Sequence, residues 1–268
     1  MNPWQIARYD HFLRTTAKDD IRKLLDFVYE VDALEAIARA KSMYNLSYPE
    51  YLDTETPFVC LQSVFHPLLS QPVANHFELG IETNLCFFTG ANMSGKSTFL
   101  KSVGLSLYLA HVGFPVPARQ MKTSIFHGLI TSINLADNIN QGYSHFYSEV
   151  KRVKEAAIKV RNKGRMMIVF DELFRGTNIK DASEASSMII GALAKIPDSL
   201  FLISTHIVEI ADDLKSEPTV IFRCFETIPE GDRAVYDYKL KNGVSKERLG
   251  MQIVRQEGIM EILEGKVQ

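Results

Sequence analysis

Leu85-Cys86-Phe87-Phe88-Thr89-Gly90-Ala91-Asn92-Met93-Ser94-Gly95-Lys96-Ser97-Thr98 passes from an apolar run, through a glycine-bounded loop, into the start of a helical pattern. Four consecutive apolar residues at 85–88 suit a strand covered on both faces. Residues 90–97 satisfy G-x-x-x-x-G-K-[ST], and they do so between a strand and a helix, where that pattern has a mechanism. The glycines let successive backbone N–H groups converge on a phosphate, and the following helix aims the positive end of its dipole at the same point. Lys96 adds a mobile positive charge for the outer phosphates. Ser97 offers a hydroxyl to Mg²⁺, a hard cation that prefers oxygen. The expectation is a nucleoside triphosphate site, for ATP with Mg²⁺.

Downstream, the wholly apolar Met166-Met167-Ile168-Val169-Phe170 delivers Asp171 and Glu172 at its C-terminal end, the edge where open α/β sheets bind ligands. An acidic pair there also serves as a helix cap. Beside a phosphate loop, the expected roles are Asp171 toward Mg²⁺ through its hydration shell and Glu172 toward the attacking water. A third run, Leu200-Phe201-Leu202-Ile203-Ser204, leads into Thr205-His206. His206 is placed either to meet the γ-phosphate or attacking water or simply to occupy a loop.

Around these runs, short β-rich segments alternate with helical patterns. Strands are expected at 58–65, 85–89, 128–133, 166–170 and 200–204, and helices from Lys96 and from about Ser144 and Asp181. Segments 220–226 and 235–240 read as a hairpin around Pro229-Glu230-Gly231-Asp232, and the tail from Lys246 reads as helical. From 17 to 46, Ile21, Leu24, Leu25, Val28, Leu34 and Ile37 recur at helical spacing, so one or two amphipathic helices precede the sheet. The fold class is α/β: a P-loop NTPase with a mixed sheet flanked by helices, preceded by a small N-terminal helical segment. The expected division is residues 1–55 as that segment and 56–268 as the nucleotide-binding domain.

Composition narrows the function classes. The 268 residues are 46% hydrophobic and 23% charged, enough for a sizeable core. No apolar run approaches the roughly 18 residues of a membrane span, and no secretory signal opens the chain, so no membrane partner is expected and a cytoplasmic location is the default. Three cysteines without ligand spacing imply buried thiols. A net charge of −2 lacks the global signature of nucleic-acid binding. The densest basic stretch, at 151–165, reads as a solvated helix face.

Taken together, the motifs resemble the ATPase domain of the MutS family, DNA mismatch-repair ATPases with an ABC-type nucleotide-binding fold. Thr89-Gly90-Ala91-Asn92-Met93-Ser94-Gly95-Lys96-Ser97-Thr98 is similar to that family's T-G-x-N-M-x-G-K-S-T, in which Asn-Met is far more restrictive than the generic pattern. Val112-Gly113 with Pro115-Val116-Pro117-Ala118 looks like its G-x-x-V-P-A turn. Asp171-Glu172-Leu173 with Arg175-Gly176-Thr177 and Asp181 looks like D-E-x-x-R-G-T, and Gly142-Tyr143-Ser144-His145-Phe146 with Glu149 looks like the signature segment. His66-Pro67 and Asn75 match a stretch flanking the adenine pocket, and 243–250 resembles the lead into the C-terminal dimerisation helices. The resemblance covers about residues 20–260.

The resemblance implies an ATPase whose nucleotide contacts run over Gly90, Ala91, Asn92, Met93, Ser94, Gly95, Lys96, Ser97 and Thr98, with Asn75 near the base. It also implies a homodimer with composite sites, in which Ser144 reaches the partner's γ-phosphate in trans; an ordinary N-cap is the other reading of Ser144. The helices in 1–55 resemble only the end of the family's core and lever region. Mismatch recognition and DNA encirclement belong to family domains for which 268 residues leave no room, so DNA is expected to be reached through regions outside this chain, which is either a piece of a longer protein or a reduced member. Ala91, Ser94, Phe174 and Asn178-Ile179-Lys180 depart from the family pattern and suggest a divergent branch. Where members often place an adenine-stacking His, near 222–226, this chain has Phe222, Cys224 and Phe225, which leaves Phe222 as a substitute. Two further readings stay open: a nucleotide-gated dimerisation switch, and an ABC-type ATPase coupled to something other than DNA.

Overall fold

A computed structural model of the chain describes residues 2–133, 145–174, 177–230, 233–245 and 258–263. It divides into two compact units, Met1–Leu46 and Ser47–Gln268.

The first unit is helical. α1 (Pro3–Arg14), which the apolar periodicity from residue 17 onward did not reveal, starts at a capping box: the Asn2 side chain accepts from the Gln5 N–H while Gln5 reaches back to the Asn2 N–H. Pro3 at the first helical position needs no N–H partner there. α2 (Lys18–Met43) opens on Asp19 and Asp20, charges that favour a helix N-terminus.

The second unit is mixed α/β, with two sheets. Its elements run β1 (Glu50–Tyr51), β2 (Val59–Val64), β3 (Asn75–Leu79), β4 (Leu85–Gly90), α3 (Lys96–His111), β5 (Gln120–Thr123), β6 (Gly128–Ser132), α4 (His145–Lys163), β7 (Met166–Phe170), α5 (Ile179–Ala194), β8 (Leu200–Ser204), α6 (Ile210–Leu214), β9 (Val220–Glu230), β10 (Arg233–Asn242) and α7 (Ile259–Leu263). Six strands form the larger sheet in the order β10-β9-β4-β8-β7-β6, and four form the smaller, β1-β5-β2-β3. In the larger sheet every pairing is parallel except β10 with β9, the expected hairpin. β1, β3 and β5 carry no long apolar run and were not legible as strands; β1 pairs with β5, which ties residues 50 and 51 to this unit.

Each face of the larger sheet has its own core. Along β4, Cys86 and Phe88 join one cluster with Leu100, Val103 and Leu107 of α3 and with Val59, Leu61 and Phe77 of the smaller sheet. Leu85 and Phe87 point the other way, into a cluster with Val153, Ala156 and Val160 of α4, Ile190 of α5 and Ile210 of α6. Continuous apolarity at 85–88 and 166–170 therefore reflects strands buried on both faces. Among the described residues no helix is long and apolar enough to cross a membrane.

Candidate functional site

β4, β7 and β8 run parallel, so their C-terminal ends open on one edge of the sheet. The loop 91–95 leaves β4 there and turns into α3. Its curvature depends on glycine at two places. Gly90 has φ 141°, and a Cβ on it would lie 2.6 Å from the Phe225 carbonyl oxygen and 3.0 Å from Ser94 Oγ. Gly95, at the N-cap of α3, has φ 107°. Met93 takes φ 67°, a left-handed conformation uncommon for a side chain of its size.

This loop leaves polar groups that ask for a ligand. Among the described residues no side chain caps the N-terminus of α3, and no acidic residue sits in its first turn. The Ser94 hydroxyl is buried with no hydrogen-bond partner among the described residues. Lys96, only 4% exposed, folds its ammonium back to donate to the carbonyls of Gly90 at 2.5 Å and Ala91 at 2.8 Å. A buried cation held by two carbonyls beside uncapped helix N–H groups suits an anion. Ser97 offers a hydroxyl and Asp171 a carboxylate, the hard oxygen donors that Mg²⁺ takes. The residues present therefore fit a phosphate group and its magnesium.

The acidic pair is held from both sides. Asp171 N–H donates to the Ser132 carbonyl of β6, and Leu173 N–H to the Ser204 carbonyl of β8. One hydroxyl then serves both carboxylate residues: Ser204 Oγ accepts from Glu172 N–H at 2.8 Å and donates to Asp171 Oδ1 at 2.6 Å. Glu172 has φ 56° and Phe174 φ 62°. Left-handed backbone at two nearby non-glycine residues stores strain of about 1–3 kcal/mol each, the kind found where side chains must be aimed.

A cavity of about 570 Å³ sits over the loop. It brings together Asn75, Asn92, Met93, Gly95, Lys96, Ser97, Thr98 and Glu172 of the predicted residues. Gly90 and Ala91 bound it indirectly, through Lys96. Ser94, Asp171 and His206 do not line it; His206 is exposed after β8, where Thr205 Oγ1 accepts from the Ile207 N–H. Ser144 and the predicted residues Arg175 and Gly176 lie outside the described residues.

Phe222 packs its ring edge-on against Phe87 at 6.0 Å, against the α4 to α6 side of the core, and does not line the cavity. Tyr238 does. It is 43% exposed, lies 3.2 Å from where a Cβ on Gly95 would sit, and stacks on Tyr236 with centroids 5.9 Å apart. A register shift between Tyr236 and Leu240 turns it toward the loop. Asn75 holds that shift: its side chain donates to the Tyr238 carbonyl at 3.0 Å and accepts from the Leu240 N–H at 2.7 Å. Asn75 thus positions the cavity wall. His66 lines the same cavity with Nδ1 buried and unpartnered among the described residues, and burial, then the Lys101 ammonium, lowers its pKa, so the ring is neutral at physiological pH.

Residues 86–265 match the family model for MutS domain V. The DNA mismatch repair protein MutS of Thermotoga maritima is 27% identical over 246 residues, which are 90% of this chain and 30% of that protein. MutS protein homolog 4 is 30% identical over 237 residues in Mus musculus, 84% of this chain and 24% of that protein, and 30% identical in Homo sapiens over 84% and 25%. The chain spans about a quarter to a third of the length of the curated relatives it matches.

Proposed function

We propose that this chain, which belongs to the MutS family, binds ATP with Mg²⁺ in the cavity at the start of α3 and hydrolyses it. The observation that carries this reading is the convergence of Lys96, Ser97 and Glu172 on one cavity beside an uncapped helix N-terminus and the buried, unpartnered Ser94 hydroxyl. The loop 90–97 acts as a phosphate-binding P-loop: its N–H groups and the α3 dipole hold the phosphates, and Lys96 exchanges its two carbonyl partners for phosphate oxygens. Ser97 and Asp171 would hold Mg²⁺, which would supply positive charge against that of the phosphates. Glu172 takes a proton from the attacking water, its carboxylate aimed by the bond from its own N–H to Ser204. His206 is assigned to the terminal phosphate or the water.

Tyr238 stacks on the nucleobase. Replacing it with Ala should weaken ATP binding by about 1–2 kcal/mol, roughly 5- to 30-fold in Kd. Inorganic tripolyphosphate, which has no base, should bind the variant and the native chain alike. Equal loss for both ligands would show that Tyr238 supports the loop instead.

By the family's pattern we assign a homodimer with two composite sites, each completed by Ser144 of the partner, and a divergent branch of the family. Contact with DNA is assigned to regions outside these residues, since the chain's net charge of −2 offers no general affinity for phosphate backbones. The test is ATP turnover by the purified chain, alone and with homoduplex, mismatched or branched DNA. Multiple turnover unaffected by any of the DNAs is expected. Stimulation by one of them would place DNA recognition within this chain, and binding without turnover would leave a nucleotide-gated switch.

A further inference from the structure

We infer that Cys60, His76 and Glu78, on the outer face of the smaller sheet, form a binding site for a borderline-soft divalent metal, Zn²⁺ foremost, with its last position open to solvent. The three sit together for reasons of register. Cys60 of β2 lies directly opposite Glu78 of β3, and His76 is two residues before Glu78, so all three project from one face. On the other face, Val59, Leu61, Phe77 and Leu79 are buried in the core, which anchors both strands. One ligand atom from each, the Cys60 Sγ, a His76 ring nitrogen and a Glu78 carboxylate oxygen, all lie within 4.8 Å of one another.

Zinc bond lengths of about 2.0–2.3 Å put neighbouring tetrahedral ligands roughly 3.2–3.7 Å apart, so closing on an ion needs a movement of the order of 1 Å. His76 and Glu78 are exposed, so core packing does not oppose a movement of that size. Thiolate, imidazole and carboxylate together select zinc-like ions over Mg²⁺ or Ca²⁺, which take oxygen alone. Three protein ligands leave one position for water.

One competing use of the cluster is weaker, and one opposing charge is turned away. A reactive cysteine needs a thiolate, but burial and then the hydrogen bond to Glu78 push the Cys60 thiol up to about 11. Lys122, opposite Cys60 on β5, is a cation that would oppose a metal, yet its ammonium is turned to Glu50 at 3.0 Å. On coordination the thiol proton leaves to solvent as the sulfur–metal bond forms, with no change of oxidation state. None of the three residues lines the nucleotide cavity, so the site is separate from it.

The test is titration of Co²⁺, then Zn²⁺, into the full chain after stripping with chelator and without nucleotide. One equivalent of Co²⁺ should give a thiolate-to-cobalt charge-transfer band that Zn²⁺ removes. Cys60→Ser should abolish the band, and His76→Ala and Glu78→Gln should each weaken Co²⁺ binding at least about tenfold. Ser97→Ala should leave it intact. His76 and Glu78 are exposed, so their variants fold whatever becomes of the buried Cys60. Absence of the band in the native chain, or undiminished Co²⁺ affinity in both the His76→Ala and Glu78→Gln chains, overturns the assignment.

Discussion

Glu172→Gln is expected to lower ATP turnover by about 10²–10⁴-fold while ATP affinity stays within roughly twofold. In the proposed mechanism the carboxylate is the cavity's general base, and glutamine keeps its size and hydrogen-bonding reach but cannot take a proton. The backbone around it should be undisturbed. Glu172 N–H still donates to Ser204, Asp171 still accepts from the same hydroxyl, and glutamine tolerates φ 56° about as well as glutamate. Binding and chemistry are therefore separable at this position. Single-turnover kinetics with excess enzyme would read the chemical step alone; full turnover in the variant would remove Glu172 from the role of base.

Lys96→Ala is expected to act on the other half of the problem. Lys96 is almost wholly buried, and burying an ammonium is costly unless it is paired. Its partners include two carbonyls of its own loop. Phosphate oxygens would replace them with a charge-assisted contact worth about 1.5–3 kcal/mol, so its loss should weaken ATP binding roughly 10- to 150-fold. Alanine at the first turn of α3 favours the helix and removes a buried charge, so the fold should be kept. Lys96→Arg should not restore affinity, because a planar fork does not replace a compact ammonium in a loop this closely packed.

Much of this arrangement was legible in the sequence where the physics is local. An apolar run buried on both faces announces itself, and β4, β7 and β8 were found that way. The loop 90–97 was legible because glycine spacing, lysine and serine each answer a separate demand of a phosphate, and Asn92-Met93 narrowed the family that residues 86–265 then matched. What escaped depends on register and tertiary contact. β3 and β5 have four or five residues with alternating burial, too short to separate from loop, yet they carry Asn75 and complete the smaller sheet.

Tyr238 escaped for a related reason. In an unbroken strand it would share a face with Tyr236 and Leu240, and nothing in the alternation marks the shift that aims it at the loop. Phe222 was offered as a stacking aromatic because it stands where family members often place a stacking His; in the fold its ring packs against Phe87 instead. Ser204 was read only as the end of a strand. Its bond to Asp171 and its acceptance from Glu172 depend on β7 and β8 being neighbours, which no local pattern states. Ser144, assigned from the family's signature, lies outside the described residues and stands as a proposal.

The most direct test of the central claim is a calorimetric titration of ATP into the native chain and into Lys96→Ala, each with and without Mg²⁺. Saturable binding of one nucleotide per chain, tightened by Mg²⁺ and weakened at least about tenfold in Lys96→Ala, is the predicted result. No saturable binding to the native chain, or equal affinity in the two chains, would contradict it.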